Sequence, residues 1–147
     1  MARLRSWGVG GAVAGLVLLG LGGAASAADD TGDACREPLE AWTQIDLYFG
    51  RNVDGGGVVS EQEFRRFLAH VVTPRFPDGL SVIDVAGQFR TGEGTLVREP
   101  SKLVVILVPD AAAAADKVRA IVAAYKRRFL QESVLHAEHP VCVSFEE

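Results

Sequence analysis

The sequence predicts an α+β domain of the ferredoxin-like kind, β-α-β-β-α-β, with two helices on one face of an antiparallel sheet. Three observations carry this reading. Residues 43–49 alternate apolar and polar with a period of two, two later stretches repeat apolar residues at helical spacing, and Thr73-Pro74-Arg75-Phe76-Pro77-Asp78-Gly79-Leu80 breaks the chain between the first helix and the second strand. In that break the two prolines cannot continue a helix, and they push the residues before them towards extended backbone. Asp78-Gly79 supplies a turn, and the chain restarts as a strand at Leu80.

In the first strand Ile45, Leu47 and Phe49 share one face and Gln44, Asp46 and Tyr48 the other, as a strand packed on one side requires. A glycine-rich connection containing Gly55-Gly56-Gly57 leads to Ser60, which makes a capping box with Glu63. Phe64, Phe67, Leu68, Val71 and Val72 then form a single apolar stripe. The second strand, residues 80–91, sets Ile83, Val85 and Phe89 on one face and Val82, Asp84, Gln88 and Arg90 on the other. Gly92-Glu93-Gly94 closes a hairpin. The return strand is expected to bulge near Pro100-Ser101, since proline cannot donate to a ladder, and residues 103–108 read as a central strand. Asp110 caps a second helix that buries Val118, Ile121, Val122, Tyr125 and Phe129 and ends in Lys126, Arg127 and Arg128, at the negative pole of its dipole. A last strand within residues 134–145 puts Val141, Val143 and Phe145 on one face.

The start of the chain reads as an export signal, residues 1–27. Arg3 and Arg5 precede an apolar run from Val9 to Leu21, and Ala25-Ser26-Ala27 fits the small-residue cleavage pattern. A retained membrane anchor is the rival reading, but the run is short for a span of about 20 residues. The expectation is an exported protein, periplasmic or secreted, with no membrane contact after cleavage. Cleavage removes two arginines and no acids, leaving 13 Lys and Arg against 19 Asp and Glu. A mildly acidic chain argues against nucleic acid, which needs a concentrated positive surface. The remaining length suits one core. Residues 28–41 read as a flexible tether and residues 42–147 as the single folded domain.

Cys35 and Cys142 are the only cysteines. In an exported chain an even pair suggests a disulfide, with two free thiols as the alternative. The fold favours the bond, because the last strand lies beside the first and brings Cys142 towards the segment before Trp42.

Leu47-Tyr48-Phe49-Gly50, residues 73–80, Gly87-Gln88, Arg98-Glu99 with Ser101-Lys102, Gln131-Glu132-Ser133-Val134 and Val141-Cys142-Val143-Ser144-Phe145 together resemble the bacterial exported family known as domain of unknown function 3574. The resemblance covers about residues 42–145. It departs at Phe89, where tryptophan is expected. It implies a domain and a compartment and carries no activity.

Two metal-like patterns weaken on inspection. Asn52, Asp54, Ser60 and Glu63 fall at positions one, three, nine and twelve of a calcium loop, but position five is Gly56, the incoming element is a strand, and Ser60 and Glu63 already serve the capping box. His136, His139 and Cys142 are spaced three apart, so strand parity sends His139 to the face opposite the other two. No cofactor is implied.

The remaining polar set, Gln44, Asp46, Tyr48, Asp84, Gln88 and Arg90, is expected on the sheet face opposite the helices. Such a face can be plain surface, a homodimer contact or a ligand floor. The function expected is that of a small binding or interaction module for an unknown small molecule or protein. The alternatives are an enzyme using Asp46 or Tyr48 as acid-base groups on that face, and calcium binding through the 52–63 loop.

Overall fold

The structure, a computed structural model, describes residues 35–53 and 55–146. The expected leader at 1–27, with its expected cleavage site, and the part of the expected tether before Cys35 lie outside the described residues, as does Asp54. Strand β1 spans Glu40–Gly50, and a small hairpin follows as β2 (Asn52–Val53) and β3 (Gly57–Val58). Helix α1 spans Glu61–Phe67 and widens into a π-helical turn over Leu68–Val72; β4 is Ser81–Arg90, β5 Leu96–Val108, α2 Ala111–Phe129 and β6 Leu135–Val143. The four long strands form one sheet in the order β4-β5-β1-β6, each neighbour antiparallel. This is the α+β ferredoxin-like sandwich that the periodicities predict.

Register fixes the faces, because directly opposed residues in a ladder project to the same side. Ile45 faces Ile106, Leu47 faces Val104 and Phe49 faces Lys102. The three apolar β1 residues are fully buried, and they share one core with Phe64, Phe67 and Val72 from the first helical segment and Ala114, Val118, Ile121, Tyr125 and Phe129 from α2. Both helices therefore cover one face. Phe49 sits at the centre of an aromatic cluster, with ring centroids 5.8 Å from Phe64, 5.8 Å from Phe67 and 4.6 Å from Tyr125.

The caps form as the sequence requires. Ser60 Oγ accepts the Glu63 N–H at 3.2 Å while Glu63 Oε2 accepts the Ser60 N–H at 2.9 Å, and Asp110 Oδ1 accepts the Ala113 N–H at 3.0 Å. At the helix exit Thr73 donates its N–H to Leu68 O at 2.9 Å, five residues back, and Phe76 folds under into the core. The hairpin at Gly92-Glu93-Gly94 is closed by Thr91 N–H to Thr95 O at 2.9 Å. Cys35 and Cys142 are bonded, with Cα atoms 5.5 Å apart, so the segment before β1 is stapled to β6. β1 itself begins at Glu40, two residues before Trp42.

One expectation about β5 fails. Its pairing with β4 runs without interruption from Arg90↔Leu96 to Ser81↔Val105, so Pro100 makes no bulge. Pro100 O accepts the Arg51 N–H at 3.0 Å, and its nitrogen points to the same side, towards the end of β1. The missing donor lies where the β1 ladder stops and costs no bond to β4.

Candidate functional site

The sheet face turned away from the helices is read off the same register. Gln44 pairs with Leu107, Asp46 with Val105, Tyr48 with Leu103 and Gly50 with Ser101, all on this open face. Across the other edge, Tyr48 opposes Leu135 and Gln44 opposes His139. The expected placement of Gln44, Asp46 and Tyr48 holds. Asp46, however, is buried even here: Gln44 Nε2 donates to its Oδ1 at 2.9 Å, and His139 Nε2 stands 3.5 Å from its Oδ2.

The other half of the expected polar set belongs on the opposite face. Asp84 pairs with Lys102, Gln88 with Arg98 and Arg90 with Leu96, in phase with the helix-covered residues Val104 and Ile106. Asp84 bonds the Lys102 ammonium there, which also lies 2.8 Å from Glu61 on α1. Arg90 donates to Gly94 O at 2.9 Å within its own hairpin. The open face of β4 carries instead Ile83, Val85, Gly87 and Phe89. The reason for the inversion is that β4 is an edge strand that the helices barely reach, so its covered side is itself wet and polarity does not report the face.

At one end of the open face lies a cleft of about 630 Å³. Its lining includes Tyr48, Gly50, Val85, Phe89, Glu99, Ser101 and, from the segment between α2 and β6, Gln131, Glu132 and Ser133; Gln88 of β4 also borders it. Glu99 is the best-positioned group. Its Oε1 accepts the Asn52 N–H at 3.0 Å. Its carboxylate packs so closely over Gly50 that a Cβ there would fall 2.6 Å from Oε1, which explains a glycine at the end of a strand. Gly50 is held from beneath as well, its carbonyl accepting from Tyr125 Oη at 2.8 Å. Burial pushes the Tyr125 phenol far above the ordinary tyrosine range, so it remains a hydrogen-bond donor. Gln131 Nε2 donates to Asn52 O at 2.6 Å and ties the 131–133 segment to the same floor.

Glu99, Ser101, Gln131 and Glu132 were not among the expected site residues. Arg98-Glu99 and Ser101-Lys102 are plain in the sequence, but the face of a strand carboxylate depends on register, and a supposed bulge at Pro100 scrambles the parity on either side of it.

The metal-like patterns resolve into local structure. Asn52 uses its N–H on Glu99, its Nδ2 on Arg98 O at 3.1 Å and its carbonyl on Gln131. Ser60 and Glu63 cap α1, and β2 and β3 stand where a calcium loop would begin. His136 opposes Leu47 and Cys142 opposes Ala41 on the covered side, while His139 opposes Gln44 on the open side. Among the described residues, no group of three or more His, Cys, Asp or Glu is arranged to hold a metal ion.

A family described as proteins of unknown function, DUF3574, matches residues 44–145. The chain belongs to that family. No curated protein matches it. Among solved structures, the DUF3574 chain is similar to a phage SAM lyase in complex with S-methyl-5′-thioadenosine, with 17% identity, a TM-score of 0.55, and coverage of 71% of this chain and 90% of that one. A phage SAM lyase in its apo state gives the same identity and coverage with a TM-score of 0.52. At this identity the likeness shows the fold alone. No described helix of this DUF3574 chain is long and apolar enough to cross a membrane.

Proposed function

We propose that this DUF3574 chain is an exported binding module whose small-molecule ligand sits in the open-face cleft around Glu99 and Tyr48. Convergence carries the reading. Tyr48 and Gly50, Gly87 and Gln88, Glu99 and Ser101, and Gln131, Glu132 and Ser133 come from four separate stretches through which the sequence resembles its family, and all of them line this one cleft. Its volume of about 630 Å³ lies within the usual range for small-molecule sites. Export is supported by Arg3 and Arg5, the apolar run after them and Ala25-Ser26-Ala27.

A second reading has one observation in its favour. The fold likeness to a lyase, with a phenol and a carboxylate in one cleft, supports a transformation of the ligand with Tyr48 and Glu99 as acid-base groups. One experiment addresses both. Protein recovered after expression with its own leader is screened by thermal shift and amide chemical shifts against anionic, neutral and cationic metabolites, including SAM and S-methyl-5′-thioadenosine. A dose-dependent rise in melting temperature with shifts centred on Gly50, Glu99 and Gln131 is expected, because a ligand that binds the native state stabilises it. Turnover of the bound compound by mass spectrometry selects the enzyme. Silence across the panel refutes the cleft as a ligand site.

A further inference from the structure

Resting on the reading of the cleft as a ligand site, we infer that its ligand is an organic cation, an ammonium or sulfonium compound, anchored at the Glu99 carboxylate. The charge of the lining points there. Among the described residues, the acidic or basic side chains bordering the cleft are Glu99 and Glu132, with no lysine, arginine or histidine among them. Two other cavities differ. One, on α2, is bordered by Arg119, Lys126, Arg127 and His136, and one near the α2 N-terminus mixes Arg75 and Lys117 with Asp78 and Asp110.

The chain's own cations close to Glu99 are turned away or already held. Arg98 and Lys102 flank it on β5 in the opposite parity, on the helix side. Lys102 is bound by Asp84 and Glu61, and Arg51 is engaged with Val59 O at 2.7 Å and with Glu61 at 2.5 Å. Glu99 thus has no ion-pair partner among the described residues. Oε1 takes the Asn52 N–H, and Oε2 has no hydrogen-bond partner among the described residues.

The rest of the wall decides between an organic and a bare metal cation. Hard metal ions require six or more converging oxygens, whereas here Glu99 and Glu132 share the wall with Val85, Phe89, Val97, Leu130 and Leu135, and among the described residues no group of three or more His, Cys, Asp or Glu is arranged to hold a metal ion. The exposed apolar side chains offer surface for the alkyl groups of a ligand to cover, and the rings of Tyr48 and Phe89 are suited to a diffuse onium charge. An alkylated cation satisfies both requirements.

The test uses pairs that differ by one charge: choline against 3,3-dimethylbutan-1-ol, and the S-methylated sulfonium of S-methyl-5′-thioadenosine against the parent thioether. Titration of the full protein, followed by calorimetry and amide shifts, is expected to show at least one cation bound in the cleft and its neutral partner bound about ten-fold or more weaker. Glu99→Gln retains an acceptor for Asn52, so the fold survives while the cation loses about ten-fold in affinity. Glu132→Gln, with an unchanged melting temperature, gives a smaller loss. Equal binding of charged and neutral partners, or cleft binding only by neutral or anionic compounds, overturns the charge assignment and leaves the cleft as a ligand site. A Glu99-dependent response to calcium or magnesium chloride overturns the organic character. If no compound of any charge moves the cleft resonances, both readings fall.

Discussion

The two faces of the sheet are both rich in apolar side chains, yet they have opposite fates. On the covered face Ile45, Leu47, Phe49, Val104 and Ile106 are at most 1% exposed, whereas on the open face Ile83, Phe89, Leu107 and Leu135 are 40 to 62% exposed. Their charges differ in the same sense. The covered face buries the Lys102 cation with two carboxylates on it; the cleft on the open face holds a carboxylate, Glu99, with one oxygen unpartnered among the described residues. A saturated charge is a structural part. An unsaturated one, set among exposed apolar groups, is where a ligand finds something to bind.

The largest expected effect tests whether the faces differ energetically as they do geometrically. Phe49→Ala empties the centre of the aromatic cluster and should cost about 3 to 5 kcal/mol, the range for losing a buried aromatic side chain. Phe89→Ala removes a ring that is already half in water and should cost about 1 kcal/mol or less. Urea unfolding of the two variants measures the difference. Comparable losses would mean that the open face is covered in solution.

How far the sequence reports the structure depends on the same contrast. β1 is packed on one side in mid-sheet, so its alternation reads correctly, and both capping residues lie where local chemistry demands. The Cys35–Cys142 bond follows from β6 lying beside β1. β4 misleads because both of its sides meet solvent: Asp84 on the helix side is largely exposed, and so is Ile83 on the other. Alternation then has a period but no phase. The cleft was out of reach for a different reason, since Gly50, Glu99 and Gln131 meet only through long-range register and a turn, and nothing local marks a strand glutamate as seated on a glycine 49 positions earlier.

A middle-sized effect concerns the saturated cluster. The hydrogen bond from Lys102 holds the Glu61 carboxyl below its ordinary value of 4.5, against the opposing effect of burial and with the charges of Arg51 and Lys102 adding to the lowering. Burial disfavours the Lys102 charge, but bonds to Asp84 and Glu61 outweigh it and hold the ammonium above its ordinary 10.5. The signs follow by linkage. The depressed carboxyl contributes stability that is present above pH 4.5 and lost as pH falls through its folded value; the raised ammonium contributes stability that is present below pH 10.5 and lost as pH rises through its own. Lys102→Met should flatten both ends of the stability profile between pH 3 and 11. At neutral pH it should change stability by less than about 2 kcal/mol, because replacing a buried ion with a well-packed apolar side chain is often close to neutral and Glu61 and Asp84 are exposed enough for water to screen them. An unchanged profile would show that the cluster does not act as a unit.

The smallest effect on stability bears most directly on the cleft. In Gly50→Ala the new methyl would stand 2.6 Å from Glu99 Oε1, and the carboxylate, at the end of a flexible side chain, is the partner that yields. The backbone of Gly50 has no positive φ, so an alanine there is unstrained apart from this contact. The hydrogen bond from the Asn52 N–H is lost, but water can take the place of the carboxylate at this partly exposed site, and the expected cost is about 1 kcal/mol. The core should be untouched, with the Tyr125 hydroxyl still bonded to the residue-50 carbonyl from the helix side. Binding responds differently: with Glu99 displaced, any ligand anchored at that carboxylate should lose about ten-fold or more in affinity. A variant that melts within a few degrees of the wild type and no longer binds places function on the open face. One that binds as before shows that Glu99 is seated on Gly50 for packing alone.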